Sequence, residues 1–181
     1  MESDPEYDLC QQLINAITVS IDKYLRRPVV AVNYTEKLKG DGTKYLELPM
    51  YPVQSITSMN VLTTFDRLQS EDLTEDVDYF LEKASGMIEL DIYNGKLTYF
   101  PKIPKGITVN YSAGLAADVA GIPDDIKLAA KMLVKFYWSK DIADFSTTFQ
   151  DTGAIIRPES FPAQVRVILG PYQKPLRIGA V

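Results

Sequence analysis

Histidine is absent from this chain of 181 residues, and cysteine and tryptophan occur once each. Without histidine there is no Ser-His-Asp or Cys-His nucleophile pair and no imidazole ligand for zinc. A lone cysteine, Cys10, cannot close an internal disulfide, so the fold does not depend on an oxidising compartment. No apolar run reaches the ~18 residues of a membrane-spanning helix. The opening MESDPEYD is acidic and lacks an apolar stretch, so a secretory signal is not expected. Basic runs and low-complexity segments are missing as well. With 19 Lys and Arg against 24 Asp and Glu, the net charge is −5, which argues against tight, nonspecific binding to DNA phosphates. A glycine-rich phosphate loop is also lacking: Gly40-Asp41-Gly42 is the nearest approach, without the helix and lysine that should follow.

What remains is 46% apolar and 24% charged residues, enough for one sizeable core or two small ones. Asp4 and Pro5 read as an N-cap and a first-turn proline. Cys10, Leu13, Ile14, Ile17, Ile21, Tyr24 and Leu25 then recur at helical spacing, predicting a helix over 5–26. On that apolar face Cys10 is a small core residue rather than a nucleophile. Arg26 and Arg27 suit a helix C-terminus and Pro28 discourages continuation. From residue 29 to 112 the pattern becomes strand-like. Seven short strands are predicted at 29–39, 44–48, 53–62, 79–82, 87–90, 97–100 and 107–111, with Val53, Ile56 and Val61 as core positions. Gly40–Gly42 is expected to close one hairpin and Ser85-Gly86 another, with an acidic loop over 68–77 between. A small sandwich or rolled antiparallel sheet fits this set.

The helical pattern returns at Pro123. Asp124 and Asp125 fall in the first turn, where carboxylates complement the macrodipole. Lys127, Lys131 and Lys135 form one polar stripe, read as a solvated face. The rest of this helix is apolar nearly all round, so it needs cover on several sides. Leu133, Phe136, Tyr137 and Trp138 are therefore expected in a core that touches or nears a subunit boundary. Ser160 and Pro162 open a last short helix carrying Val165, Ile168 and Leu169, stopped by Gly170-Pro171. The tail over 171–181 is too sparse to fold alone, yet it offers Tyr172, Leu176, Ile178 and Val181 as apolar anchors and Lys174 and Arg177 for acidic partners. It is expected to order only when docked on a neighbour. The resulting fold class is α+β: a helical base (1–28 and 113–170), an inserted antiparallel β domain (29–112) and the tail.

Asp72, Glu75, Asp76 and Asp78 are residues of the type that bind Ca2+ or Mg2+, but they lack the spacing of a calcium loop and read as solvated. Tyr45, Tyr79, Tyr99 and Tyr111 have no interleaved basic residues and read as packing rather than base-stacking groups. No paired acid and base is supplied, so a metal-dependent nuclease is disfavoured and no cofactor or metal is expected.

The series Tyr24-Leu25-Arg26-Arg27-Pro28, Gly40-Asp41-Gly42-Thr43, Leu46-Glu47-Leu48-Pro49, Tyr51-Pro52-Val53-Gln54-Ser55-Ile56, Val109-Asn110-Tyr111-Ser112-Ala113-Gly114, Ile122-Pro123 and Ile168-Leu169-Gly170-Pro171-Tyr172 resembles the head–tail connector (adaptor) proteins of tailed bacteriophages, in their longer form with a β insertion. That resemblance implies a non-enzymatic virion protein made in the host bacterial cytoplasm. It implies a ring of typically twelve copies beneath the portal protein, which extends the DNA channel without gripping DNA and docks a tail, tail-terminator or stopper protein. The alternative reading is a monomeric β-type module binding carbohydrate or protein through an aromatic cleft.

Overall fold

A computed structural model describes residues 5–139 and 160–175. The chain divides into two compact units, one formed by the stretches up to Val29 and from Ile122 onward, the other by Val30–Gly121.

In the helical unit, α1 (Pro5–Leu25) buries Leu13, Ile17, Ile21 and Leu25, one residue per turn along a single stripe. Cys10, on the same side, is half-buried, and Ile14 is 41% exposed, so the stripe is narrower than the periodicity implied. Arg26 takes a left-handed conformation, φ 58°, which ends the helix. The next helix, α2 (Asp124–Trp138), packs against α1 and buries Ile126, Ala129, Leu133 and Tyr137. Asp124 and Asp125 do fall in its first turn, and Lys131 and Lys135 are exposed. The short α3 (Ala163–Leu169) packs on α2 and passes into a 3-10 turn, Gly170–Tyr172. Its N-cap is Pro162 rather than the expected Ser160. The Ser160 hydroxyl pairs instead with the Tyr137 hydroxyl at 2.6 Å, which leaves it committed to a neighbouring helix. The expected cap Asp4 lies outside the described residues.

The other unit holds seven strands, all paired antiparallel: β1 (Val32–Leu38), β2 (Tyr45–Glu47), β3 (Val53–Leu62), β4 (Ser70–Leu73), β5 (Tyr79–Glu82), β6 (Met87–Leu90) and β7 (Ile107–Ala113). They form a four-stranded sheet, β1-β7-β3-β4, and a three-stranded sheet, β2-β6-β5. One core cluster joins the two, with Leu48, Met59, Val61, Ile88, Phe100, Ile107, Val109 and Tyr111 essentially inaccessible. β7 alternates buried and half-buried residues along its whole length, as a central strand covered on one face should.

Three expectations need correction. Gly40–Gly42 does not close a hairpin: β1 pairs with β7 and β2 with β6, so this segment carries the chain from one sheet to the other. A Cβ at Gly40 would stand 2.4 Å from the Phe100 carbonyl oxygen, so close backbone approach rather than turn geometry demands the glycine. Residues 97–100 are not a strand. Phe100 exchanges one bond pair with Gly42 and Thr43, and Pro101 then removes the next donor. The acidic loop over 68–77 contains β4, an exposed edge strand on β3 whose polar sequence carries no alternation. The Ser85-Gly86 hairpin between β5 and β6 forms as read.

Candidate functional site: assembly surfaces

Catalytic geometry gives no lead. Among the described residues, no group of three or more His, Cys, Asp or Glu could hold a metal ion. Asp78 in particular is not a solvated loop carboxylate. It is 2% exposed, accepts the Thr74 amide at 2.8 Å and the Lys96 amide at 3.0 Å, and lies 3.6 Å from the Lys96 ammonium. Burial alone would raise its pKa, but these amides and the cation outweigh that and hold it below the usual carboxylate range. Its work is to tie the start of β5 to the loop after β6. Asp72 instead accepts from Asn60 at 2.8 Å across the β3–β4 pair. Tyr79 and Tyr111 are core residues whose burial pushes their phenols well above the usual range, so neither is poised for proton transfer. Tyr45 and Tyr99 face solvent.

The site residues expected on α2 are split by the helix itself. Leu133 and Tyr137 point into the chain's own core, while Phe136 and Trp138 are half-buried. Phe136 meets Tyr137 edge-on, with centroids 5.1 Å apart. Larger exposed apolar groups lie elsewhere on the helical unit: Tyr7 and Val19 on α1, Leu128 on α2 and Val167 on α3. Tyr7 and Val19 were not singled out in the sequence because each breaks the apolar stripe of α1, whereas Leu128 belongs to the nearly all-round apolar surface read for α2.

The first residues of the tail are held by the chain itself, which departs from the expectation that they order only on a partner. The carbonyl of Tyr172 accepts from both Nε and Nη2 of Arg27, at 2.9 and 2.5 Å. The Tyr172 hydroxyl donates to Asp125 at 3.0 Å. Gln173 donates its side-chain amide to the Tyr24 carbonyl and Lys174 its backbone N–H to that of Leu25, at 3.0 and 2.9 Å. These carbonyls of Tyr24 and Leu25 lie in the last turn of α1, where no intrahelical donor remains, so residues 149 positions away cap the helix. Leu176, Arg177, Ile178 and Val181 lie outside the described residues.

On the four-stranded sheet the outward face is made mostly of short neutral polar residues, with Lys37 on β1 and Asp72 on β4 as its charges. Thr35 donates to Asn110, Asn110 to Ser58, and Ser55 pairs with Ser112, at 2.6, 2.8 and 3.0 Å. With Lys37 as its one cation, a face so bonded to itself offers neither a cluster of cations to grip phosphate nor the apolar centre of a protein interface. A shallow cleft of roughly 480 Å3 in the β unit is lined by Ile56, Thr57, Ser58, Met59, Asp72, Leu73, Thr74, Glu75 and Tyr79. Its only aromatic, Tyr79, is buried, so it provides no stacking platform for a sugar.

A family model described as head completion protein matches residues 2–175. Among solved structures, the chain is similar to one in the neck of an empty gene transfer agent particle computed with C6 symmetry (TM-score 0.62, 16% identity, covering 99% of this chain and 84% of that one). It is also similar to chains in the virion of a native gene transfer agent particle (TM-score 0.60, 15% identity, 99% and 83%) and in the neck of the native particle computed with C12 symmetry (TM-score 0.57, 16% identity, 94% and 85%). No curated protein matches the sequence. At these identities the solved structures speak to the fold, while the family model spans nearly the whole length. The chain thus belongs to the head completion protein family, and its role is a structural one at the connection between phage head and tail.

Proposed function

We propose that this protein acts without catalysis as a closed ring of twelve copies in the virion neck, seated beneath the portal protein and offering its far side to a tail, tail-terminator or stopper protein. The observation that carries this is the family match over residues 2–175, supported by neighbours of the same fold in necks computed with C12 and C6 symmetry. Synthesis takes place in the host cytoplasm. Phe136 and Trp138 border the neighbouring copy, over the buried Leu133 and Tyr137 that hold them in place. The tail, from Tyr172 and Lys174 through Leu176, Arg177, Ile178 and Val181, docks on the portal or an adjacent copy, leaving from the point where Arg27 fixes Tyr172. DNA passes through without specific contacts. The net charge of −5 and the neutral, self-bonded sheet face both suit a passage that does not hold phosphate. A monomeric carbohydrate-binding module is disfavoured by the lack of an exposed aromatic in the cleft.

Electron microscopy of the purified chain with and without its cognate portal tests the reading. Rings, alone or on the portal, are the expected result. A monomer in both samples would overturn it.

A further inference from the structure

The turn between β3 and β4 exposes two large apolar side chains, Phe65 at 76% and Leu68 at 83%. Such a pair on a floppy loop would mean little, but this loop is braced. Thr63 donates its amide to the Gln69 carbonyl at 3.0 Å, and Arg67 donates its own to Thr64 at 3.1 Å. Asp66 accepts from the Thr64 hydroxyl and from the Leu68 amide. Arg67 adopts φ 61°, and its guanidinium reaches sideways to the Pro104 carbonyl at 3.0 Å. The tip is thus held in one shape with both apolar groups directed away from the unit's core, and ordering it on a partner costs little further entropy.

A ring of identical copies needs two different complementary patches on each copy, one projecting and one receiving. The same β unit supplies a receiver. The cleft at the opposite end of the β3–β4 pair has a floor of Ile56, Met59, Leu73 and Tyr79, and its volume of roughly 480 Å3 suits two bulky side chains. Charge matches as well. The cleft is rimmed by Asp72 and Glu75, whereas the tip is shouldered by Arg67 and the exposed Lys105, with Asp66 as its one acid.

Resting on the ring reading above, we infer that the β3–β4 turn of one copy seats Phe65 and Leu68 in the cleft of the next copy, so that β units link head to tail around the ring. The occupant of the cleft is a second copy of this chain.

Cysteines placed at Leu68 and Thr57 in a Cys10→Ser background test the pairing. On mild oxidation of assembled rings or particles, Leu68→Cys with Thr57→Cys is expected to give a ladder of covalent oligomers on a non-reducing gel. Each single variant stops at a dimer or below, and Leu68→Cys with Val167→Cys gives no ladder. In parallel, Phe65→Asp with Leu68→Asp is expected to weaken self-association at least ~10-fold by mass photometry, with the monomer's circular dichroism and melting unchanged. Rings that form normally in the double-Asp variant, without a ladder in the cysteine pair, overturn this inference and leave the ring reading standing. If neither the wild-type chain nor its particles contain an oligomer, both fall together.

Discussion

The two units solve the same problem in opposite ways. The β unit is held by backbone pairing: its central strand β7 is paired on both sides, its core cluster joins both sheets, and its buried carboxylate Asp78 has its hydrogen bonds met by its own loops. The helical unit is sewn together from the two ends of the chain. Like the β unit, which exposes Phe65, Leu68 and Tyr93, it leaves Tyr7, Val19, Leu128 and Val167 at 52% exposure or more, but it caps α1 with residues that arrive only after α3. In the β unit the long-range pairing is backbone to backbone and therefore repetitive. In the helical unit it rests on a few specific side chains, and single substitutions separate these cases.

Phe100 marks the larger effect. It is fully buried in the β core, so Phe100→Ala should cost about 3–5 kcal/mol in urea unfolding, through lost burial and the cavity left behind. Val167→Ala, on the exposed side of α3, should change monomer stability by less than about 0.5 kcal/mol. Comparable losses from the two would erase the distinction between a buried core position of the β unit and the spare apolar surface of α3. Next comes Asp78→Ala, expected to cost about 2–4 kcal/mol because it orphans the Thr74 and Lys96 amides in a dry site. This stability also depends on pH. Asp78 titrates lower in the folded chain than in the unfolded one, so its contribution is present above the ordinary carboxylate range and is lost as pH falls through the folded value. The variant should therefore unfold with a flatter acid limb than the parent.

How much of this was legible in the sequence differs between the units for the same reason. Helix positions followed from local periodicity, and α1, α2 and α3 fall where the apolar spacing put them. The hairpin at Ser85-Gly86 was also readable, because a local turn joins adjacent strands. The sheet order was not. β1 pairs with β7 some 75 residues away, and nothing local distinguishes that from a hairpin through Gly40–Gly42. β4 escaped because Ser70, Glu71 and Asp72 are solvated on both faces and only backbone pairing makes them a strand. At the candidate site, Tyr137 and Trp138 looked equivalent by composition, yet the helix turns one inward and leaves the other half-covered. The clamp of Arg27 on Tyr172 had no pattern at all, because it joins a side chain to a backbone carbonyl.

That clamp gives the third effect. Arg27→Ala removes both donors to the Tyr172 carbonyl and should cost about 1–2 kcal/mol, with faster amide exchange at Gln173 and Lys174. Exchange in β7 should not change. Equal acceleration in β7 and in the clamp would show that the two units unfold as one and that the comparison drawn above has no energetic counterpart.

The smallest effect separates charge from hydrogen bonding at the other end of the same loop. Asp22 accepts the Val29 amide at 2.9 Å, where the chain leaves α1. Burial raises its pKa, and the Val29 hydrogen bond only partly opposes this. An acid whose folded pKa is raised binds its proton more tightly in the folded state, so ionising it disfavours the fold. The cost is present above the folded value and vanishes as pH falls below the unfolded one, the reverse of the Asp78 case. Asn in place of Asp keeps the oxygen that accepts from Val29 and deletes the charge. Asp22→Asn should therefore be stabilising by less than about 1 kcal/mol near neutral pH, with the gain shrinking to nothing in acid. Urea midpoints of parent and variant between about pH 3 and about pH 7 measure it. A variant less stable than the parent at neutral pH would mean that the carboxylate's charge, and not only its oxygen, holds this end of the helical unit together.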